Sequence, residues 1–279
     1  MLTSEQRERI KKDGYFLIEN AIEPIGLERV QKAYERIQER TESAWRQSVK
    51  DGTFSGGYGN GPNAHTMSKV GEQNDIFLDL ANNPKVIPLL KEIVGPDLQV
   101  GSGGVCHCHH AGADAHTAWH RDWAPYTHPE YVIKAKVFYF LDDQEVDMGC
   151  FSLVPGTHKL PDAPPKDKYI GSSLEEMPGL VKIVGSAGSA ILWNVLCWHT
   201  GLANTSQNDR RIVIYGYTPF WIKSGSESDR PKQKIIDWAD TPEKRELVGI
   251  HAIHGRRAWD RVDVPYLPEH EKIAMEKKF

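Results

Sequence analysis

The chain has 279 residues, 39% of them hydrophobic and 26% charged, a balance that supports a buried core and excludes a fibrous or disordered protein. Its 34 Lys and Arg against 38 Asp and Glu give a net charge of −4, so no general attraction to nucleic acid or to an anionic membrane is expected. Four cysteines (Cys106, Cys108, Cys150, Cys197) are too few for a disulfide scaffold, the opening MLTSEQRERIKKDG does not read as a signal peptide, and no apolar run approaches the ~20 residues of a membrane span, which together predict a soluble, cytoplasmic protein.

Thr3 with Gln6 fits a helix capping box, and Gly14 reads as the stop before a short apolar strand, Tyr15-Phe16-Leu17-Ile18. Pro24 opens a second helix with Leu27, Val30, Tyr34 and Ile37 at helical spacing, running into the mid-forties. Residues 51–65 hold five glycines and a proline and are expected to form a loop that closes over substrate. Helix is predicted again from Ile76 to Val94, ended by Gly95-Pro96. From residue 98 short strand-like runs dominate: 98–108, 117–123, 131–141, 150–154, 181–184, 190–194 and 211–217. Tyr131 to Leu141 is apolar on both faces, as a strand inside a sandwich would be. A helix is expected at 241–248. The fold class predicted is mainly β with flanking helices, a jelly-roll or cupin-like core, in a single domain. Its helical part covers about 1–97, the β core about 98–222 and a C-terminal extension 223–279.

The densest chemical signal is Trp119-His120-Arg121-Asp122-Trp123. On a strand, side chains two apart point the same way, so His120 and Asp122 present an imidazole and a carboxylate together. His199 follows 77 residues after Asp122, at the end of an apolar run, and Arg210 lies eleven residues further across a turn-rich linker. Two histidines and one carboxylate leave three coordination positions open, the ligand set of non-haem Fe(II) oxygenases. A nearby guanidinium suits the far carboxylate of 2-oxoglutarate, which chelates iron through its other end, and a position remains for dioxygen. Alternation admits only one of Arg210 and Arg211 to the inner face.

These pieces, together with Gly149-Cys-Phe-Ser-Leu-Val-Pro155-Gly156-Thr157-His158, resemble the phytanoyl-CoA dioxygenase family of Fe(II)/2-oxoglutarate oxygenases. The resemblance covers about residues 100–220, and the opening GYFLIENAI followed by a helix also looks like the family's start. It implies a double-stranded β-helix core, iron held by His120, Asp122 and His199, and 2-oxoglutarate anchored by Arg210. It implies oxidation of an unactivated C–H bond of a small organic molecule, by hydroxylation foremost, with release of succinate and CO2 and with ascorbate in a supporting role. Asp122 stands where related halogenases carry Gly or Ala, which favours C–H oxidation over halogenation. Lys69 is the nearest counterpart of a lysine that contacts the cosubstrate in some relatives, and Thr200 of a Ser or Thr that follows the distal histidine.

Trp123 and Tyr126, directly after the metal pair, are the expected substrate contacts, with His107 lining the cavity. His116 and His128 read as loop residues and His158 as a turn-packing residue. Cys106-His107-Cys108-His109-His110 suggests zinc at first sight, yet the ligand types alternate along one strand and no second cysteine pair exists, so a structural metal site is not expected there. Lys134 and Lys136 form a polar edge, or one of them turns inward to an anionic group. The competing readings are a non-catalytic cupin-like protein binding a metal or small molecule, and a cupin-class isomerase or lyase that would leave Arg210 without a role. Substrate identity and oligomeric state are not legible.

Overall fold

The computed structural model describes residues 1–54, 62–101, 103–115, 117–122, 131–222 and 231–250. Helix α1 (Ser4–Lys12) is opened by the expected capping box: Gln6 N donates to Thr3 Oγ1 at 3.1 Å, and Thr3 N to Gln6 Oε1 at 3.0 Å. Strand β1 (Tyr15–Ile18) follows. Pro24 occupies the first turn of α2 (Pro24–Lys50), which buries Val30, Ala33, Tyr34, Ile37 and Trp45 along one side. Next come β2 (Ala64–Ser68), α3 (Asp75–Ala81) and α4 (Ile87–Ile93). The remaining strands are β3 (Leu98–Val100), β4 (Val105–His109), β5 (Ala135–Phe140), β6 (Phe151–Val154), β7 (Val181–Lys182), β8 (Ala190–Asn194), β9 (Trp198–Gly201) and β10 (Arg210–Pro219). Two short helices close the described chain, α5 (Gln233–Trp238) and α6 (Pro242–Leu247).

The strands form two antiparallel sheets. The major sheet runs β1-β8-β5-β10-β4-β2, with β3 pairing the far end of β10; the minor sheet runs β7-β6-β9. This is the jelly-roll, or double-stranded β-helix, with its helices packed on the outside of the major sheet.

Register shows which side chains share a face. Arg210 pairs with His109, Ile212 with His107 and Phe140, and Ile214 with Phe138. With Ile191 and Trp193 of β8 and Phe151 and Leu153 of β6, the apolar members of this set make the core between the sheets. The intervening residues, among them Cys106, Cys108, Val213, Tyr215 and Leu192, face the other way and pack against α2, α3 and α4.

Four local readings differ from the structure. The helix expected over Ile76–Val94 is two helices, because Pro84 disfavours helical backbone at Asn83, whose side-chain Nδ2 donates to Ala21 O at 2.9 Å. The run 98–108 is two strands, β3 ending at Val100 and β4 beginning at Val105 after Gly103 and Gly104. Residues 117–122 form no strand, only a single bridge from His120 to His199. In the loop expected over 51–65, Ala64 and His65 already belong to β2, and 55–61 lie outside the described residues.

Candidate metal and cosubstrate site

The bridge at His120 assembles the site. His120 N donates to His199 O and His199 N to His120 O, both at 3.0 Å, and Asp122 N donates to Val195 O at 3.2 Å. The segment 120–122 therefore runs antiparallel to 195–199 and sets His120 directly opposite His199. Thr117 fastens its start: Thr200 Oγ1 donates to Thr117 O at 2.7 Å, and Gly201 N donates to Thr117 Oγ1 at 2.9 Å. The Pro155–His158 turn fastens the other side. Thr157 Oγ1 donates to Val154 O at 2.6 Å and accepts from Trp198 N at 2.9 Å, so the residue before His199 is pinned. Gly14 fits beneath this turn at φ +86°; a Cβ there would stand 2.4 Å from Cys197 Sγ and 2.6 Å from His158 Nδ1.

His120 Nε2 and His199 Nε2 each lie 3.6 Å from Asp122 Oδ1, and the three donor atoms lie within 4.8 Å of one another. The opposite ring nitrogens are tied off: His120 Nδ1 donates to Ala118 O at 2.7 Å and His199 Nδ1 to Cys197 O at 2.9 Å. Burial keeps the His199 imidazole below its ordinary pKa, hence neutral, so its Nε2 carries a lone pair. Burial alone would raise Asp122; the Lys136 ammonium, 2.6 Å from Oδ2, outweighs it and holds the carboxyl well below the usual range. Three electron-pair donors facing one point fit a divalent cation, and the type of donor fits Fe(II). Trp193 and Phe151 wall the His199 ring at centroid distances of 4.4 and 5.4 Å.

Arg210 is 2% exposed on the inner face, and its Nε has no hydrogen-bond partner among the described residues. No carboxylate among the described residues forms an ion pair with it. Burial lowers its pKa to about 10, which leaves it charged at neutral pH. An isolated guanidinium in a dry interior is costly unless an anion joins it. A carboxylate would match its two-pronged N–H geometry. Arg211, on the outer face, is engaged by Asp142 at 2.6 Å and Glu35 at 2.9 Å. Next to Arg210, His109 Nε2 donates to Asp114 O at 2.9 Å, and the ring packs on Gly149, where a Cβ would approach its Nδ1 to 2.4 Å. His107 is buried on the same face with Nδ1 3.1 Å from Thr66 Oγ1, and burial together with Arg210 depresses its pKa well below normal.

Two residues expected at the cosubstrate lie off the inner row that carries Arg210. Thr200 faces away from His199 by strand alternation, and its hydroxyl is committed to Thr117. Lys69 follows β2 at the end where Ser68 pairs with Val105, whereas the Arg210 row continues through His109 to Ala64; that is about 17 Å along the strand. Trp123, Tyr126, His116 and His128 lie outside the described residues. Lys136, left open between two readings, turns inward: its Nζ lies 2.6 Å from Asp122 Oδ2.

The profile of the family described as phytanoyl-CoA dioxygenase (PhyH) matches residues 10–212, most of the chain and all four residues of the site. The chain belongs to the phytanoyl-CoA dioxygenase family. It is a 2-oxoglutarate-dependent dioxygenase, an oxidoreductase. A probable alpha-ketoglutarate-dependent hypophosphite dioxygenase of Stutzerimonas stutzeri is 24% identical to it, with 78% of each chain covered. Among solved structures, HygX from Streptomyces hygroscopicus with nickel and 2-oxoglutarate bound has a TM-score of 0.64 at 16% identity, covering 83% of this chain and 95% of HygX. The alpha-ketoglutarate-dependent epimerase SnoN from nogalamycin biosynthesis has a TM-score of 0.58 at 18% identity, covering 81% of this chain and 86% of SnoN. These likenesses establish the fold of this family member. Among its described residues no helix is long and apolar enough to cross a membrane.

Proposed function

We propose that this dioxygenase oxidises a small-molecule substrate, by hydroxylation, at an Fe(II) centre held by His120, Asp122 and His199, with 2-oxoglutarate anchored by Arg210. The observation that carries the reading is the convergence of two imidazole Nε2 atoms, whose Nδ1 atoms are already committed, on one carboxylate oxygen. With iron bound there, 2-oxoglutarate and dioxygen supply the oxidant, one oxygen atom passing to succinate as CO2 leaves and the other to product. The chain's own part is to position and to keep dry. Carbonyls of residues 118 and 197 fix the two imidazole tautomers, and the aromatic wall of Trp193 and Phe151 excludes water. Arg210 offers a charged fork to the distal carboxylate.

Small molecules of quite different chemistry are named for the relatives, hypophosphite for one and hygromycin B as a bound ligand of HygX. The fold therefore leaves the substrate open, and a small molecule is the class proposed. Purified protein supplied with Fe(II), 2-oxoglutarate and ascorbate is expected to consume oxygen and release succinate across a panel of small acids and alcohols. His120→Ala and His199→Ala should lose both iron and turnover. No succinate on any substrate, with iron binding unaltered by His120→Ala, would overturn the reading.

A further inference from the structure

On the outer face of the major sheet, away from the His120–Asp122–His199 centre, three unlike ligand atoms converge. Cys108 Sγ lies 3.7 Å from His110 Nδ1 and 3.6 Å from Asp209 Oδ2, and His110 Nδ1 lies 3.2 Å from Asp209 Oδ2. A tetrahedral zinc ion, with bonds of ~2.3 Å to sulfur and ~2.0–2.2 Å to nitrogen and oxygen, spaces its ligands at about 3.5 Å for S–N, 3.6 Å for S–O and 3.4 Å for N–O. Each observed edge agrees to within about 0.2 Å.

Without a metal, Asp209 Oδ2 accepts from both His110 Nδ1–H and the Cys108 thiol, and the 3.7 Å edge between Cys108 Sγ and His110 Nδ1 carries no hydrogen bond. A cation would replace those two protons and draw on all three atoms as ligands.

The surroundings fix the ligands. Asp209 uses its other oxygen to accept from Ala111 N at 2.9 Å, which orients the carboxylate. The His110 ring stacks on Trp45 with centroids 4.9 Å apart. The Gln38 carboxamide lies 3.7 Å from Cys108 Sγ and on reversal presents its oxygen to a fourth position. Cys108 is fully buried, while the side chains of His110 and Asp209 are 16% and 38% exposed, so an ion can enter from solvent.

We propose that Cys108, His110 and Asp209 form a second metal site, for zinc or a divalent ion of similar softness. Thiolate, imidazole and carboxylate together select such ions over magnesium or calcium. The ion ties β4 to the turn before β10 and, through Gln38, to α2. Asp209 immediately precedes Arg210, so the site braces the start of the strand that carries the cosubstrate's guanidinium.

The test uses the full chain carrying His120→Ala and His199→Ala, in which the oxygenase centre has lost two of its ligands, titrated with Zn(II) and separately with Co(II). One Zn(II) per chain is expected, with a thiolate-to-cobalt charge-transfer band in the near ultraviolet. Adding Cys108→Ser should abolish the band, and adding Asp209→Asn should weaken Zn(II) binding by about 100-fold or more, since loss of an outer partner alone costs 10–100-fold. Loss on either substitution with the circular dichroism retained supports the site. If Cys108→Ser fails to fold, Asp209→Asn and His110→Gln, both at partly exposed positions, carry the decision. Absence of Zn(II) binding in the starting protein, or binding left unchanged by the substitutions that fold, overturns the proposal. Because the readout is metal binding in protein that cannot turn over, its failure leaves the oxygenase reading untouched.

Discussion

Lys136 Nζ lies 2.6 Å from Asp122 Oδ2, while both histidine Nε2 atoms face Oδ1 of the same carboxylate. The two oxygens therefore have separate duties, one toward the cation and one toward the ammonium. Without metal, Lys136 is the neutralising partner of a carboxylate whose side chain is only 5% exposed. Lys136→Met should destabilise the metal-free protein by about 2–3 kcal/mol, somewhat below the 3–5 typical of fully buried pairs because Lys136 keeps partial contact with water. A bound divalent ion replaces the missing charge, so saturating Ni(II) should close most of the gap to the unsubstituted protein. Thermal melts with and without Ni(II) read this out. An equal loss in both conditions would assign Lys136 a packing role only.

Arg210 and Arg211 are neighbours with opposite environments. The first is buried on the inner face without a carboxylate partner among the described residues; the second is held outside by Asp142 and Glu35. Arg210→Lys replaces a fork with a point charge and should lose one charge-assisted hydrogen bond to the cosubstrate, about 1.5–3 kcal/mol, or roughly 10–150-fold in the KM for 2-oxoglutarate. Arg211→Lys should leave that KM within about twofold. Steady-state kinetics with 2-oxoglutarate varied decide the matter, and a reversed ranking would move the anchor to Arg211.

How much of this was legible beforehand follows from the range of each signal. His120 and Asp122 could be read together because strand alternation is a rule of two residues. His199 and Arg210 could be read because their types suit one metal and one diacid. Thr200 was misplaced by the same local rule, since a residue next to an inward histidine faces outward and here binds Thr117. Asp209 was missed at the Cys108–His110 cluster because it comes from 99 and 101 residues away, brought there only by the pairing of β4 with β10. The only available signal was an acidic residue abutting the inward arginine. Lys69 could not be placed beforehand relative to Arg210, because a lysine's sequence position before the core does not say which end of β2 it follows.

His65 shows how burial sets the acid limit of the fold. It stacks on Trp45 at 5.0 Å and lies 3.2 Å from Thr41 Oγ1, and burial, aided by the nearby His110, lowers its pKa to about 4. The folded value is below the unfolded value of ~6.5, so the unfolded chain binds the proton more readily between them. The contribution is complete above pH ~6.5 and is lost as pH falls toward 4. Replacement by Gln, which does not ionise, should flatten the pH dependence of stability in that window by up to about 3 kcal/mol. Urea midpoints at pH 7, 5.5 and 4.5 measure it. Parallel curves for the two proteins would mean that His65 titrates normally.

Gly14 joins the N-terminal segment to the metal site through contact rather than charge. Its carbonyl accepts from Asn194 N at 2.8 Å, and its φ of +86° is one that side chains avoid. Gly14→Ala adds a methyl 2.4 Å from Cys197 Sγ, just before β9, and 2.6 Å from His158 Nδ1, in the turn that pins β9. Left-handed backbone costs an alanine about 1–2 kcal/mol, and overpacking adds about 1–3. The relief available is movement of residues 197 and 158, which would displace the Cys197 carbonyl from His199 Nδ1. Gly14→Ala should therefore lower both the Tm and the affinity for Fe(II), although it lies more than a hundred residues from every ligand in sequence. A reduced Tm with unchanged Fe(II) affinity would show that the N-terminal segment supports the fold without setting the geometry of His199.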